Sequence, residues 1–125
     1  MADRIRVLVA EDEFIISLSL KTLLTEMGHE VVATARDGAQ AVQHCVTHRP
    51  DLVLMDIGMP TVDGITATRE IMARCPTPIV VLSAYNDRDR VANALEAGAV
   101  AYLLKPIVEG ELRAAIAQVI GLPEE

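Results

Sequence analysis

Glu11, Asp12, Asp56, Ser83 and Lys105 are the side chains of this sequence whose types and settings suit one piece of chemistry. Glu11 and Asp12 follow the apolar run of residues 5–10, Asp56 closes the run 52–55, Ser83 follows 79–82, and Lys105 follows 101–104 and precedes Pro106. An ionised carboxylate carried out of bulk water by an apolar strand needs cationic or hydrogen-bonding partners. Several carboxylates in one crevice repel one another unless a cation neutralises them. Oxygen ligands without His or Cys select a hard ion, with Mg2+ the abundant choice and Mn2+ or another divalent ion a substitute. A carboxylate beside such an ion is a nucleophile toward phosphorus. The ion and a Lys ammonium can share the charge on the phosphoryl oxygens while a hydroxyl holds a third. Asp56, the ion, Lys105 and Ser83 therefore make a complete set for phosphoryl transfer to a carboxylate.

That set works only if distant segments converge, and the hydrophobic pattern supplies a reason for them to do so. Short apolar runs at residues 5–10, 31–35, 52–55, 79–82 and 101–104 read as buried strands. Each is followed by a stretch of helical periodicity. The first helix has the inner stripe Ile16, Leu20, Leu23, Leu24 and Met27, with Gly28 as its stop. Asp37-Gly38 and Asp63-Gly64 open the second and third helices, which run to about His48 and Arg74. The fourth helix runs from near Asp87 to Gly98. The fifth, about residues 109–120, carries Leu112, Ile116 and Val119 on one side. After Asp56, Gly58 and Pro60 forbid continuation as strand or helix.

Strand then helix, repeated along the chain, predicts an α/β fold: a doubly wound (βα)5 parallel sheet with helices on both faces. Ligands of such sheets lie beyond the carboxyl ends of the strands. All the candidate residues stand there, while the second strand ends in Ala35-Arg36 with no comparable group. That fits the order 2-1-3-4-5, in which the second strand is an edge.

At Glu11-Asp12, the Met55-Asp-Ile-Gly-Met-Pro60 run with Asp63-Gly64, Leu82-Ser83-Ala84 and Tyr102-Leu-Leu-Lys105-Pro106, the chain resembles the receiver domain of two-component response regulators. The likeness covers essentially the whole chain, so residues 1–125 are expected to be one receiver domain, ordered over about 4–121, without an output domain. The resemblance implies that Asp56 accepts a phosphoryl group from a histidine kinase or a histidine phosphotransfer protein. It also implies that Glu11, Asp12, Asp56 and the Gly58 carbonyl bind the metal, with Asp12 and Asp56 as direct ligands. Lys105 would hold the phosphoryl group, Ser83 and Tyr102 would switch, and the Lys105-Pro106 peptide would be cis. The helix 4–strand 5–helix 5 face would carry the signal, dimerisation included. The residues two beyond the acceptor and two beyond the hydroxyl, Gly58 and Tyr85, would slow hydrolysis of the phosphoryl group. Glu at 11 and Ser at 83 depart from the commoner Asp and Thr, and the longer Glu reaches further into the metal shell or binds through water. The segment 78–106 further resembles receivers that precede RNA-binding antiterminator domains.

A reading from another class is a Mg2+-dependent phosphohydrolase working through an aspartyl-phosphate. Such enzymes often carry Asp-x-Asp after the first strand, where this chain has Glu11-Asp12. A structural interaction module is a third reading, disfavoured by the full set of acids, Ser and Lys.

Composition excludes more. With 11 basic and 18 acidic residues the net charge is −7, a poor match to nucleic-acid phosphates, and at 2% aromatic content there is no platform for stacking bases. The apolar runs are too short to span a bilayer, and the N-terminal residues carry no signal-peptide pattern. Cys45 and Cys75 have neither metal nor redox spacing and read as ordinary thiols of a reducing cytoplasm. His44 and His48 stand four apart but lack acidic or thiolate partners, so a metal site there is disfavoured. Residues 86–90 read as a capped, solvated helix start with charge pairing. Phe14, Ile15 and Leu18 fall off the inner stripe of the first helix, either partly buried or forming a docking patch for the kinase or phosphotransfer partner.

Overall fold

The computed structural model describes residues 4–84 and 87–121. Tyr85, Asn86 and the segment after Gly121 lie outside them, so the expectation placed on Tyr85 does too. The strands are β1 (Arg6–Ala10), β2 (Glu30–Ala35), β3 (Leu52–Asp56), β4 (Ile79–Ser83) and β5 (Ala101–Leu104). They alternate with α1 (Phe14–Glu26), α2 (Gly38–His48), α3 (Gly64–Arg74), α4 (Arg88–Glu96) and α5 (Glu109–Ile120). The sheet runs β2-β1-β3-β4-β5, with every neighbouring pair parallel. This is the predicted doubly wound order.

Alternation along buried strands divides the core in two. Leu8, Ala10, Val53, Met55, Ile79 and Val81 face α2, α3 and α4. Val7, Val9, Leu52, Leu54, Val80 and Leu82 face α1 and α5. Each central strand is thus apolar on both faces, which is why its sequence is a continuous hydrophobic run.

The helices begin and end where local chemistry dictates. The Asp37 and Asp63 carboxylates accept the backbone N–H groups of Gln40 and Thr66, each at 2.8 Å, satisfying donors that the first turns of α2 and α3 leave free. Gly28 and Gly98 take φ of +91° and +123°, turning the chain away from α1 and α4 in a conformation that disfavours a Cβ. In α1, Leu20 and Leu24 are buried while Ile16, Leu23 and Met27 pack partly against the same core. Phe14 and Ile15 are 74% and 75% exposed, which settles their burial against the core reading. The start of α4 differs from expectation. Asp87 makes no capping hydrogen bond, while the expected charge pairing is present between Asp87 and Arg90, three residues on, at 3.8 Å.

Candidate phosphoacceptor site

The strand ends converge because the parallel ladder aligns them. Asp56 stands opposite Leu82, and Ser83 opposite Leu104, one residue before Lys105. Backbone bonds continue the alignment past the strands. The Lys105 N–H donates to the Ser83 carbonyl at 2.8 Å, and the Glu11 N–H donates to the Ala35 carbonyl at 2.9 Å. At Gly64 the first turn of α3 crosses the backbone of Asp56 and Ile57. A Cβ there would collide with the Asp56 carbonyl and lie 2.7 Å from Ile57 Cα. Only glycine lets α3 start so close beneath the acid.

One carboxylate oxygen from each of Glu11, Asp12 and Asp56 lies within 4.8 Å of the others. Asp56 is 5% exposed; its Oδ1 accepts the Gly58 N–H at 2.9 Å and faces Lys105 Nζ at 3.4 Å. Glu11 is enclosed, with Oε2 accepting the Glu13 N–H at 3.2 Å and Oε1 facing Lys105 Nζ at 2.9 Å. That second contact is a close ion pair, and Lys105 is the one partner of this buried oxygen among the described residues. Burial chiefly, and the neighbouring Asp56 charge after it, push Glu11 up to about 7 despite Lys105. Asp12 is raised by burial and by its contact with Asp56. Burial works against the Lys105 ammonium, but the contacts and charges of Glu11 and Asp56 outweigh it and leave Lys105 raised. Three clustered carboxylates facing one ammonium leave excess negative charge that a divalent cation would relieve, and the all-oxygen donor set fits Mg2+.

Of the remaining predicted residues, Gly58 borders this cluster and Ser83 is tied to Lys105 through the backbone, whereas Tyr102 lies in a separate groove. Ser83 is buried and donates its hydroxyl to the Ala84 carbonyl at 3.0 Å. The Lys105-Pro106 peptide is cis. Tyr102 is 48% exposed and, with Ala84, Asp87, Val91 and Leu95, lines an open groove of about 960 Å³ between α4 and β5. Gly58 is exposed at the rim. A Cβ on it would stand 3.6 Å from Asp56 Oδ1 and 3.9 Å from Arg90 Nη1.

Arg90 was not among the residues the sequence singled out for the site. From α4 it donates to the Ile57 carbonyl at 2.5 Å, fastening the turn that follows Asp56. Only its place in a charged helix start was visible locally; the carbonyl it reaches is 33 positions away.

A sequence model of the response regulator receiver domain matches residues 7–117. The chain belongs to that family. It is a receiver, a phosphoacceptor switch of two-component signalling, and the phosphohydrolase alternative is not favoured. Receivers of this family bind Mg2+ in an acidic pocket and interact with histidine kinases or phosphotransfer proteins. The chain is 50% identical over 111 residues to the transcriptional regulatory protein PdtaR of Mycobacterium tuberculosis, covering 89% of this chain and 54% of the relative. It therefore spans about half the length of that regulator. With the chemotaxis protein CheY of Bacillus subtilis it shares 42% identity over 102 residues, 81% of this chain and 85% of the relative. Among solved structures, the response regulator domain of Thermotoga maritima CheB superposes with a TM-score of 0.87 at 32% identity, covering 96% of this chain and 98% of that one. The receiver domain of the Pseudomonas aeruginosa sensor histidine kinase PA1611, with a magnesium ion coordinated in its active-site cleft, gives 0.86 at 34% identity, covering 94% and 98%.

Proposed function

We propose that Asp56 is the phosphoacceptor of this receiver, with Lys105 and Ser83 as its partners and with Glu11, Asp12, Asp56 and the Gly58 carbonyl as the Mg2+ site. The observation that carries the reading is the meeting of three carboxylate oxygens within 4.8 Å beside an ammonium 3.4 Å from Asp56. When bound, Mg2+ supplies the countercharge that lets an anionic donor approach. An Asp56 oxygen forms its bond to phosphorus as the bond to the donor histidine nitrogen breaks, and the leaving imidazole keeps that electron pair. Oδ1 is held by the Gly58 N–H and steered by Lys105, so the acid is oriented before the donor arrives. Lys105 then has a phosphoryl oxygen to hold, and Ser83 can exchange its neutral bond to the Ala84 carbonyl for a charge-assisted one. That exchange biases the Tyr102 side of the fold, the α4–β5–α5 face, toward a partner or a second copy. Mn2+ or another divalent ion can take the place of Mg2+ in this scheme.

The same reading makes residues 1–125 one receiver domain whose only catalysis is its own phosphorylation and slow dephosphorylation. It works in the cytoplasm, on phosphoryl groups from a histidine kinase or phosphotransfer protein, without touching nucleic acid directly. The similarity to PdtaR supports transcription as the output. Incubation with Mg2+ and acetyl phosphate tests the core claim. One acid-stable, base-labile phosphate per chain, absent from Asp56→Asn, is the expected result. Stoichiometric labelling that persists in the variant at another residue, or rapid turnover of the donor without an accumulated phosphoprotein, would overturn it.

A further inference from the structure

Cys45 and Cys75, 30 positions apart in the chain, bring their Sγ atoms to 3.9 Å. They were expected to be unrelated thiols, and the fold makes them neighbours. Cys45 is buried on the inner side of α2; Cys75 is half-buried just past the last residue of α3, where the backbone is no longer helical (φ −153°, ψ 64°). The side chains cross between the two segments. Cys75 Sγ lies 3.5 Å from the Cys45 carbonyl, Cys45 Sγ lies 4.0 Å from the Cys75 carbonyl, and the Thr77 hydroxyl is 3.4 Å from Cys45 Sγ. Phosphoryl transfer uses neither thiol.

We propose that Cys45 and Cys75 form a reversible intrachain disulfide when the chain meets a peroxide, making this end of the fold an oxidation-sensitive modification site. An S–S bond of about 2.05 Å requires each sulfur to move roughly 1 Å, a displacement within reach of side-chain rotation. Cys75, the more accessible thiol, reacts first. Its sulfur attacks a peroxide oxygen; the S–O bond forms, the O–O bond breaks, and an alcohol or water leaves. The Cys45 sulfur then displaces water from the resulting sulfenic acid, forming the S–S bond as the S–O bond breaks. The two thiols together lose two electrons and two protons, and the peroxide gains them. Burial pushes the Cys45 thiol up to about 11, which suits a slow resolving role rather than first attack. The closed loop contains all of β3 and the turn carrying Asp56 and Gly58, so oxidation ties together the two ends of the segment that presents the acid.

The experiment treats the folded chain with hydrogen peroxide and maps its peptides without reduction. The expected product is a monomer carrying a Cys45–Cys75 linkage, its two free thiols lost and then restored by dithiothreitol. Constraining a loop of this length raises the melting temperature by roughly 10 °C. In Cys45→Ser, Cys75 should instead be trapped as a sulfenic acid by dimedone. Peptide mapping of the unmutated chain decides the matter even where that variant folds poorly. Intermolecular disulfides, a Cys75 sulfinic acid beside an intact Cys45 thiol, or a lower melting temperature in the linked form would each overturn the proposal.

Discussion

Lys105 Nζ rests 2.9 Å from Oε1 of Glu11. It also stands 3.4 Å from Asp56, so the lysine bridges the two buried acids and lies nearer Glu11. Filling the metal site and phosphorylating Asp56 would shift that balance, drawing the ammonium toward the new charge.

The first prediction concerns pH. The folded chain holds the Glu11 proton up to about 7, while an unfolded Glu releases it near 4.5. Between those values the folded state binds more protons, so stability falls as pH rises through the window and flattens above it. Asp12 is raised in the same sense. In urea titrations without divalent ions, Glu11→Gln should lessen this fall and be the more stable protein at pH 8, by on the order of 1–3 kcal/mol. Equal slopes in parent and variant would show that Glu11 is not the titrating group.

Asp12→Ala should weaken Mg2+ binding and slow labelling by acetyl phosphate, because it removes one of three clustered oxygens. It should also stabilise the metal-free fold slightly by relieving repulsion. Thermal melts with and without Mg2+ read both effects, and an undiminished Mg2+ shift in the variant would contradict the ligand role.

Arg90→Ala should loosen the turn after Asp56, since the guanidinium donates to the Ile57 carbonyl immediately before Gly58. A hydrogen bond from a charged donor contributes about 1.5–3 kcal/mol where it is enclosed, and less at this half-exposed position. The expected result is a small loss of stability with a several-fold loss of Mg2+ affinity. Unchanged Mg2+ affinity would show that the bond from Arg90 to the Ile57 carbonyl does not support the metal site.

Ser83→Ala should still accept a phosphoryl group but transmit it poorly. Its hydroxyl, bonded here to the Ala84 carbonyl, would exchange that bond for one to a phosphoryl oxygen, and under the proposed function that exchange would be the differential interaction that shifts the switch. Hydrogen exchange of the α4 and β5 amides, with and without beryllofluoride, measures the coupling. At least a halving of the change is expected in the variant; an identical response would send the signal by another route.

Much of this architecture can be read locally. Residues 52–55 are apolar because β3 is enclosed on both faces, and Asp37 and Asp63 mark helix starts because their carboxylates cap the N–H groups three residues on. The convergence of Glu11, Asp12, Asp56, Ser83 and Lys105 follows from strand order. What the sequence hid are pairings that no local pattern encodes. Arg90 reaches Ile57 across 33 positions, and Cys45 meets Cys75 across 30. That Lys105 lies between Glu11 and Asp56, nearer the first, is likewise a matter of side-chain reach within the crevice, invisible in spacing.

The register of the sheet has a consequence for how errors in this protein would reveal themselves. Each candidate group stands on the last rung of its strand or a residue or two beyond it: Asp56 opposite Leu82, Ser83 opposite Leu104 before Lys105, and Glu11 after the pair Ala10 and Met55. Sliding a strand by one residue would carry its group about 3.3 Å along the sheet and turn its apolar side chains to the opposite layer. The crevice and the two interior layers are therefore set by one alignment. A misthreaded chain that kept its secondary structure would be silent at the crevice, which makes phosphoryl uptake a gauge of strand alignment finer than circular dichroism.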